Sequence, residues 1–324
     1  MGGVIARVRG RQVTRRGFLA GAAGLGAAMA AAAATRARAE PAASHPPLGA
    51  FVTVEGLRIH YVSEGEGPPV VLLHGASGNL RDFTFSLTGR LAAMGMRAVA
   101  FDRPGLGWSD RPAERGWDPA VQARVLRAAS AALGVEGPVV VGHSWGGAAA
   151  MAWAVDAPES LRGVLSVSGA TYPWGTGVGA LYQLAATDAL GWAVSGAARL
   201  WYGSGDPREL LGGIFEPNAV PPGYADYVGV PLALRSDAFR NNAEDLTHLD
   251  AALAAQAPRY RGLKVPVEAV HGLADETVWA SVHSEPLTSD VAHGRLTLLE
   301  GVGHMPHHVR EDAVTAAVAR LAGR

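Results

Sequence analysis

Three residues in this chain have the types and neighbours that nucleophilic catalysis requires: Ser144, Asp275 and His304. Ser144 stands in Val139-Val140-Val141-Gly142-His143-Ser144-Trp145-Gly146-Gly147, a Gly-x-Ser-x-Gly pentapeptide between an apolar run and a helix-forming stretch. A tight strand-to-helix turn pushes its serine outward, and glycines on both sides relieve the backbone crowding that results. A serine hydroxyl is a poor nucleophile alone. It needs a base to take its proton and a third group to orient that base. His271-Gly272-Leu273-Ala274-Asp275 follows one late apolar run, and Gly301-Val302-Gly303-His304 follows the next. Both lie beyond strand C-termini, where an open parallel sheet gathers its functional side chains. The order Ser144, Asp275, His304 matches this serine-hydrolase geometry. His304 is expected to take the Ser144 proton, with Asp275 fixing its tautomer and stabilising the imidazolium. The plainer reading of the pentapeptide is a glycine-rich turn with a capping serine.

Other titratable residues lie near these motifs. Asp102 also follows a strand and could serve as the acid, but is read as tying down its own loop. Glu276 adjoins Asp275 and should point elsewhere. His307 and His308 are read as surface or helix-start residues, and His74 and His143 as loop supports. No pair of these histidines has metal-ligand spacing on one helix face, so neither a metal nor a cofactor is expected. The chain has no cysteine, which excludes disulfides, thiol nucleophiles and Cys-ligated metals.

Positioning these residues requires a sheet. Extended runs are expected at 51–54, 57–62, 69–73, 97–101, 139–141, 163–167, 265–270 and 296–299. Helical stretches are expected near 80–94, 119–133, 145–156 and 307–322, with Pro119 at a helix start. Continuous apolar strands separated by helices indicate an α/β fold, a mostly parallel sheet covered on both faces. The alternation breaks in 171–258, where short helical pieces replace strands. That segment holds 10 of the 22 aromatic residues, among them Trp174, Trp192, Trp201, Tyr224 and Tyr227. Most should form the insertion's own small core, and a few could line a pocket against the sheet.

Taken together, the motifs over residues 50–324 resemble the α/β-hydrolase fold superfamily. His74-Gly75-Ala76-Ser77-Gly78 resembles its His-Gly oxyanion loop, and Asp102-Arg103-Pro104-Gly105-Leu106-Gly107-Trp108-Ser109 its D-x-x-G-x-G-x-S segment. The resemblance implies a twisted, mostly parallel sheet with helices on both faces, a core of 51–170 and 259–324, and a helical cap at 171–258. It also implies an oxyanion hole made by the backbone N–H groups of Ala76 and Trp145. Haloalkane dehalogenases and epoxide hydrolases of this fold attack with aspartate, so a serine at position 144 points away from them. Ester hydrolysis, carbon–carbon bond hydrolysis, amide hydrolysis and cofactor-free perhydrolysis of the haloperoxidase type remain. A ligand-binding protein without turnover has no need of all three triad groups.

The net charge of −1 hides an uneven distribution. Seven of the 28 basic residues lie in 1–39 with no Asp or Glu, so the remainder carries 21 basic against 29 acidic side chains. So acidic a body is poorly suited to nucleic acid. Residues 1–39 have a basic stretch, an apolar run from Phe18 to Ala34 and a small-residue site at Ala37-Arg38-Ala39. Thr14-Arg15-Arg16-Gly17-Phe18-Leu19 resembles the twin-arginine export motif. The expectation is cleavage after Ala39, no stable membrane insertion thereafter, a flexible lead-in over 40–50, and a periplasmic or extracellular serine hydrolase. Its partner is a small or medium carboxylic ester.

Overall fold

The computed structural model describes residues 45–187, 190–191, 193–194, 196–197 and 206–324. The expected export signal, Trp192 and Trp201 lie outside the described residues. Eight strands form one sheet: β1 (Ala50–Val54), β2 (Leu57–Glu64), β3 (Pro69–Leu73), β4 (Arg97–Phe101), β5 (Val139–His143), β6 (Gly163–Val167), β7 (Val267–Gly272) and β8 (Gly294–Leu299). Their spatial order is β1-β2-β4-β3-β5-β6-β7-β8. The two pairings of β2, with β1 and with β4, are antiparallel, and from β4 to β8 every pairing is parallel.

The period of two along each strand divides the core in two. Val71, Leu73, Val99, Phe101, Val140 and Val164 face the helices α2 (Pro119–Ala132) and α3 (Trp145–Asp156). Val70, Leu72, Ala98, Ala100, Val139, Val141 and Leu165 face α1 (Leu87–Ala93) and α5 (Glu311–Leu321). A strand buried on both sides has no polar face, which is why these runs read as continuously apolar. Helix α2 starts as expected: Asp118 accepts from the Ala120 N–H at 2.8 Å, with Pro119 in the first turn.

Between β6 and β7 the described residues contain helices and no strand. The longest is α4 (Ser236–Gln256), whose Leu249 and Leu253 join the first core face. A smaller cluster of Phe215, Tyr224 and Val228 closes around Met305 from the loop after β8.

Residues 45–49 depart from the expected flexible lead-in. Leu48 packs on the second core face. The Pro46 carbonyl accepts from Arg81 Nη2 at 2.7 Å, and His45 Nε2 bonds the Asp226 carbonyl at 2.9 Å. The buried guanidinium of Arg81 needs acceptors, and this stretch supplies one. Among the described residues no helix is long and apolar enough to cross a membrane.

Candidate active site

Ser144 joins β5 to α3 with φ 52° and ψ −121°, a left-handed conformation for a residue with a side chain. Such strain costs roughly 1–3 kcal/mol and persists only where the surroundings enforce it. Here they do. The Ser144 N–H donates to the Val167 carbonyl at 3.1 Å, and its own carbonyl accepts from Gly147 at 2.9 Å and Ala170 at 3.0 Å. The flanking glycines are steric necessities. A Cβ at Gly146 would fall on the Leu73 carbonyl, and one at Gly142 on the Gly146 carbonyl.

Asp275 and His304 meet as their spacing suggested. His304 Nδ1 lies 2.7 Å from Asp275 Oδ2, both residues being buried. The carboxylate can only accept here, so Nδ1 carries the proton and Nε2 keeps a free lone pair. The other oxygen, Oδ1, accepts from the N–H groups of Thr277 and Val278, each at 2.9 Å. Burial pushes the Asp275 pKa up, but bonds from His271 and His304 hold it well below the usual carboxylate range. His271 Nε2 sits 3.2 Å from Asp275 Oδ2 and 2.6 Å from the Val278 carbonyl, while its Nδ1 is 2.6 Å from Ser284 Oγ. Glu276 is exposed and takes no part.

β8 stands three places from β5 in the sheet, so the His304 loop must cross back to reach Ser144. Gly272 permits the crossing, because a Cβ there would meet the carbonyls of Val302 and Gly303. His143 then fixes the far end, its Nε2 donating to the His304 carbonyl at 2.9 Å. Asn218 holds the middle: Nδ2 donates to the Gly301 carbonyl at 2.8 Å, and Oδ1 accepts from Gly303 at 3.0 Å. Among the described residues Ser144 Oγ makes no hydrogen bond, to His304 or otherwise. Contacts of this kind commonly tighten only when substrate binds.

The loop after β3 lies against the serine. A Cβ at Gly75 would sit 2.9 Å from Ser144 Cβ and 3.4 Å from Oγ. The backbone N–H groups of Ala76 and Trp145 have no protein acceptor among the described residues. Three residues brace this loop. Ser77, at φ 54°, donates its N–H to Asn242 Oδ1 at 2.6 Å, and Asn242 Nδ2 bonds Ser77 Oγ at 3.0 Å. His74 Nε2 accepts from the Arg103 N–H at 2.9 Å, and burial pushes its pKa down to about 4. The fully buried Arg103 donates to the His74 carbonyl at 2.9 Å, stacks 3.9 Å over the Trp145 ring and pairs with Asp245 at 2.9 Å.

Asp102 binds loops together, as its position suggested. Oδ1 accepts from Leu80 N–H at 2.7 Å, and Oδ2 from Trp108 N–H at 2.7 Å and His60 Nδ1 at 2.6 Å. A Cβ on Gly107 would overlap that carboxylate. His307 and His308 start a short helix, Pro306–Val309, but they are not surface residues. His307 is fully buried, 3.1 Å from both oxygens of Asp82, and His308 Nε2 lies 2.8 Å from Oδ1. The Tyr224 hydroxyl donates to the same oxygen at 2.8 Å. Asp82, His143 and His307 each present a ligand-capable atom within 4.8 Å of the others.

The structure brings Asp275 and His304 together and sets the Gly75 loop against Ser144, while Asp82, Arg103, Asn218, Asn242, Asp245 and the bracing contacts of His271 are not among the residues singled out from the sequence. His271 acts close by in the chain, four residues before Asp275, whereas the roles of the other five depend on contacts between elements distant in the chain.

The profile of the alpha/beta hydrolase fold family matches residues 68–193. Haloalkane dehalogenase 2 of Mycobacterium bovis is 40% identical over 120 residues, 36% of this chain and 40% of its own length. The chain thus spans well under half the length of such curated relatives. An esterase from Exiguobacterium antarcticum superposes with a TM-score of 0.67 at 22% identity, covering 86% of this chain and 100% of its own. A bromoperoxidase from Bacillus anthracis gives 0.65 at 18%, covering 83% and 96%. The chain has the α/β-hydrolase fold.

Proposed function

We propose that this α/β-hydrolase-fold protein is a serine hydrolase that cleaves small or medium carboxylic esters through an acyl-enzyme. The observation that carries the reading is the 2.7 Å contact of His304 Nδ1 with Asp275, together with a Ser144 held at positive φ in the elbow. That contact leaves the His304 Nε2 lone pair free to take a proton. Ser144 Oγ attacks the acyl carbon and its proton passes to His304 Nε2. The acyl–oxygen bond breaks, and the leaving alcohol takes that proton away. Water then attacks the acyl-enzyme, giving its proton to His304, which returns it to Ser144 as the acid departs. The free N–H groups of Ala76 and Trp145 are suited to hold the oxyanion, a contribution worth roughly 3–4 kcal/mol per donor.

The dehalogenase relative does not redirect this reading, because the residue at the elbow is a hydroxyl nucleophile and not a carboxylate. Ester cleavage is favoured over carbon–carbon or amide cleavage because an alkoxide leaves more readily than a carbanion or amine. A panel of esters of graded acyl length, run beside a vinylogous diketone and a perhydrolysis assay, tests the choice. Turnover of short and medium esters well above the others is expected, and diketone cleavage without ester cleavage contradicts it.

We also read residues 171–258 as a cap over the acyl site and residues 1–39 as a twin-arginine-type export signal. The support for the signal is its arginine pair, apolar run and Ala37-Arg38-Ala39. Mass spectrometry of the chain from its own host should find Glu40 at the N-terminus. An intact leader retained in membranes contradicts the cleavage.

A further inference from the structure

We propose that Asp82, His143 and His307 form a buried divalent-metal site behind the nucleophile, with zinc the ion that fits it best. His143 Nε2 donates to the His304 carbonyl at 2.9 Å, so that nitrogen carries the hydrogen. Nδ1 of the neutral ring is then a bare lone pair, fully buried and without a hydrogen-bond partner. The charged atom facing it is Asp82 Oδ2, at 3.8 Å. Two acceptors turned toward each other in a dry interior are costly unless a cation lies between them.

The His143 ring centroid is 4.3 Å from that of His307 and 4.9 Å from that of His304.

The geometry suits an ion. His307 Nε2 lies 3.1 Å from each Asp82 oxygen, near the roughly 3.0–3.5 Å expected between two ligands each about 2.0–2.1 Å from a tetrahedral zinc. Two imidazoles and one carboxylate favour zinc and its transition-metal neighbours over calcium or magnesium. His308 Nε2, at 2.8 Å from Asp82 Oδ1, is the next donor at hand. The His143 bond to the His304 carbonyl is the outer contact that a ligating histidine characteristically makes with its other nitrogen.

The three ligands come from the helix after the oxyanion loop, the end of β5 and the helix after the His304 loop. An ion there would clamp the backbone segments that carry Ala76, Ser144 and His304 without touching substrate. It would be a positioning ion and not a reactant.

The test uses the whole chain, stripped with a chelator and reloaded with zinc, or with cobalt as a spectroscopic probe. The expected result is about one zinc per chain retained through gel filtration, a raised Tm on loading, and the visible bands of four-coordinate cobalt. Asp82→Asn should weaken binding by about tenfold to a hundredfold or more. His307→Phe, which keeps a ring against Phe83 at 5.4 Å, should do the same even if Asp82→Asn fails to fold. No stoichiometric zinc and an unchanged Tm in the wild type overturn the proposal. So does undiminished binding with unaltered cobalt bands in His307→Phe.

Discussion

The strand ends of the sheet and the helical insertion at 171–258 solve different parts of one problem. The strand ends supply Ser144, Asp275 and His304, each presented within a few residues of an apolar strand. The insertion supplies groups that brace them: Asn218 on the His304 loop, Asn242 on Ser77, and Asp245 on Arg103 and thereby on His74 and Trp145. On the proposed reading, one region carries the chemistry and the other fixes its angles. Damage to the first should abolish turnover with the fold intact, while damage to the second should act on geometry and stability together.

The sharpest break of this comparison is Ser144→Ala. Ester turnover should fall by about 10³–10⁶ with little change in Tm, and a variant retaining wild-type rates removes the assignment. Next comes Asp245→Ala. It leaves the fully buried Arg103 without its carboxylate, a change that typically costs about 3–5 kcal/mol. Thermal melting should show a large fall, and a Tm within a degree or two of wild type would mean the pair is not what ties the insertion to the oxyanion loop.

Protonation probes two buried histidines: His74 follows β3, and His283 Nδ1 accepts from the Thr171 and Tyr172 N–H groups at the start of the insertion. Burial lowers the pKa of His74 and of His283, each to about 4 from an ordinary 6.5. The unfolded chain therefore binds protons before the folded one as pH falls below about 6.5. Stability should decline from there and level off below about 4, by up to about 3 kcal/mol for His74 and less for His283, which is not fully buried. Urea melts at pH 7 and pH 4.5 measure this, and equal stability at both contradicts it.

Asn242→Ala should cost less, about 1–2 kcal/mol, by freeing the Ser77 N–H and hydroxyl. The loss should appear mainly in kcat. The smallest effect belongs to Glu276→Ala, within about 0.5 kcal/mol and with unchanged kinetics. Behaviour like that of Asp275→Ala would mean that the wrong carboxylate has been assigned.

What the sequence disclosed follows the same division. The doubly covered sheet was legible because burial on both faces demands unbroken apolar runs such as Val139-Val140-Val141. The elbow is legible because its pattern is short: Gly142 must lack a Cβ for a contact inside one turn, although Gly146 must lack one to clear the Leu73 carbonyl of β3. Asp275 and His304 were legible as residues following strand ends. Arg103 was quoted only as part of a loop motif, since nothing near it in sequence announces a partner at Asp245. His307 and His308 read as surface or helix-start residues; they do lie at a helix start, where two polar residues usually face water, but they are not at the surface. Here the buried carboxylate of Asp82, which no motif marks, draws both inward. Leu48 and Pro46 read as lead-in for the same reason, their partners lying elsewhere in the chain.

If Ser144 is an activated nucleophile, labelling the wild-type chain with a fluorophosphonate and mapping the adduct by mass spectrometry should find one phosphonyl group on Ser144. It should form rapidly at neutral pH, slow severely in His304→Ala and be absent from Ser144→Ala. No adduct on the folded wild-type chain, or an adduct on a different residue, would contradict it.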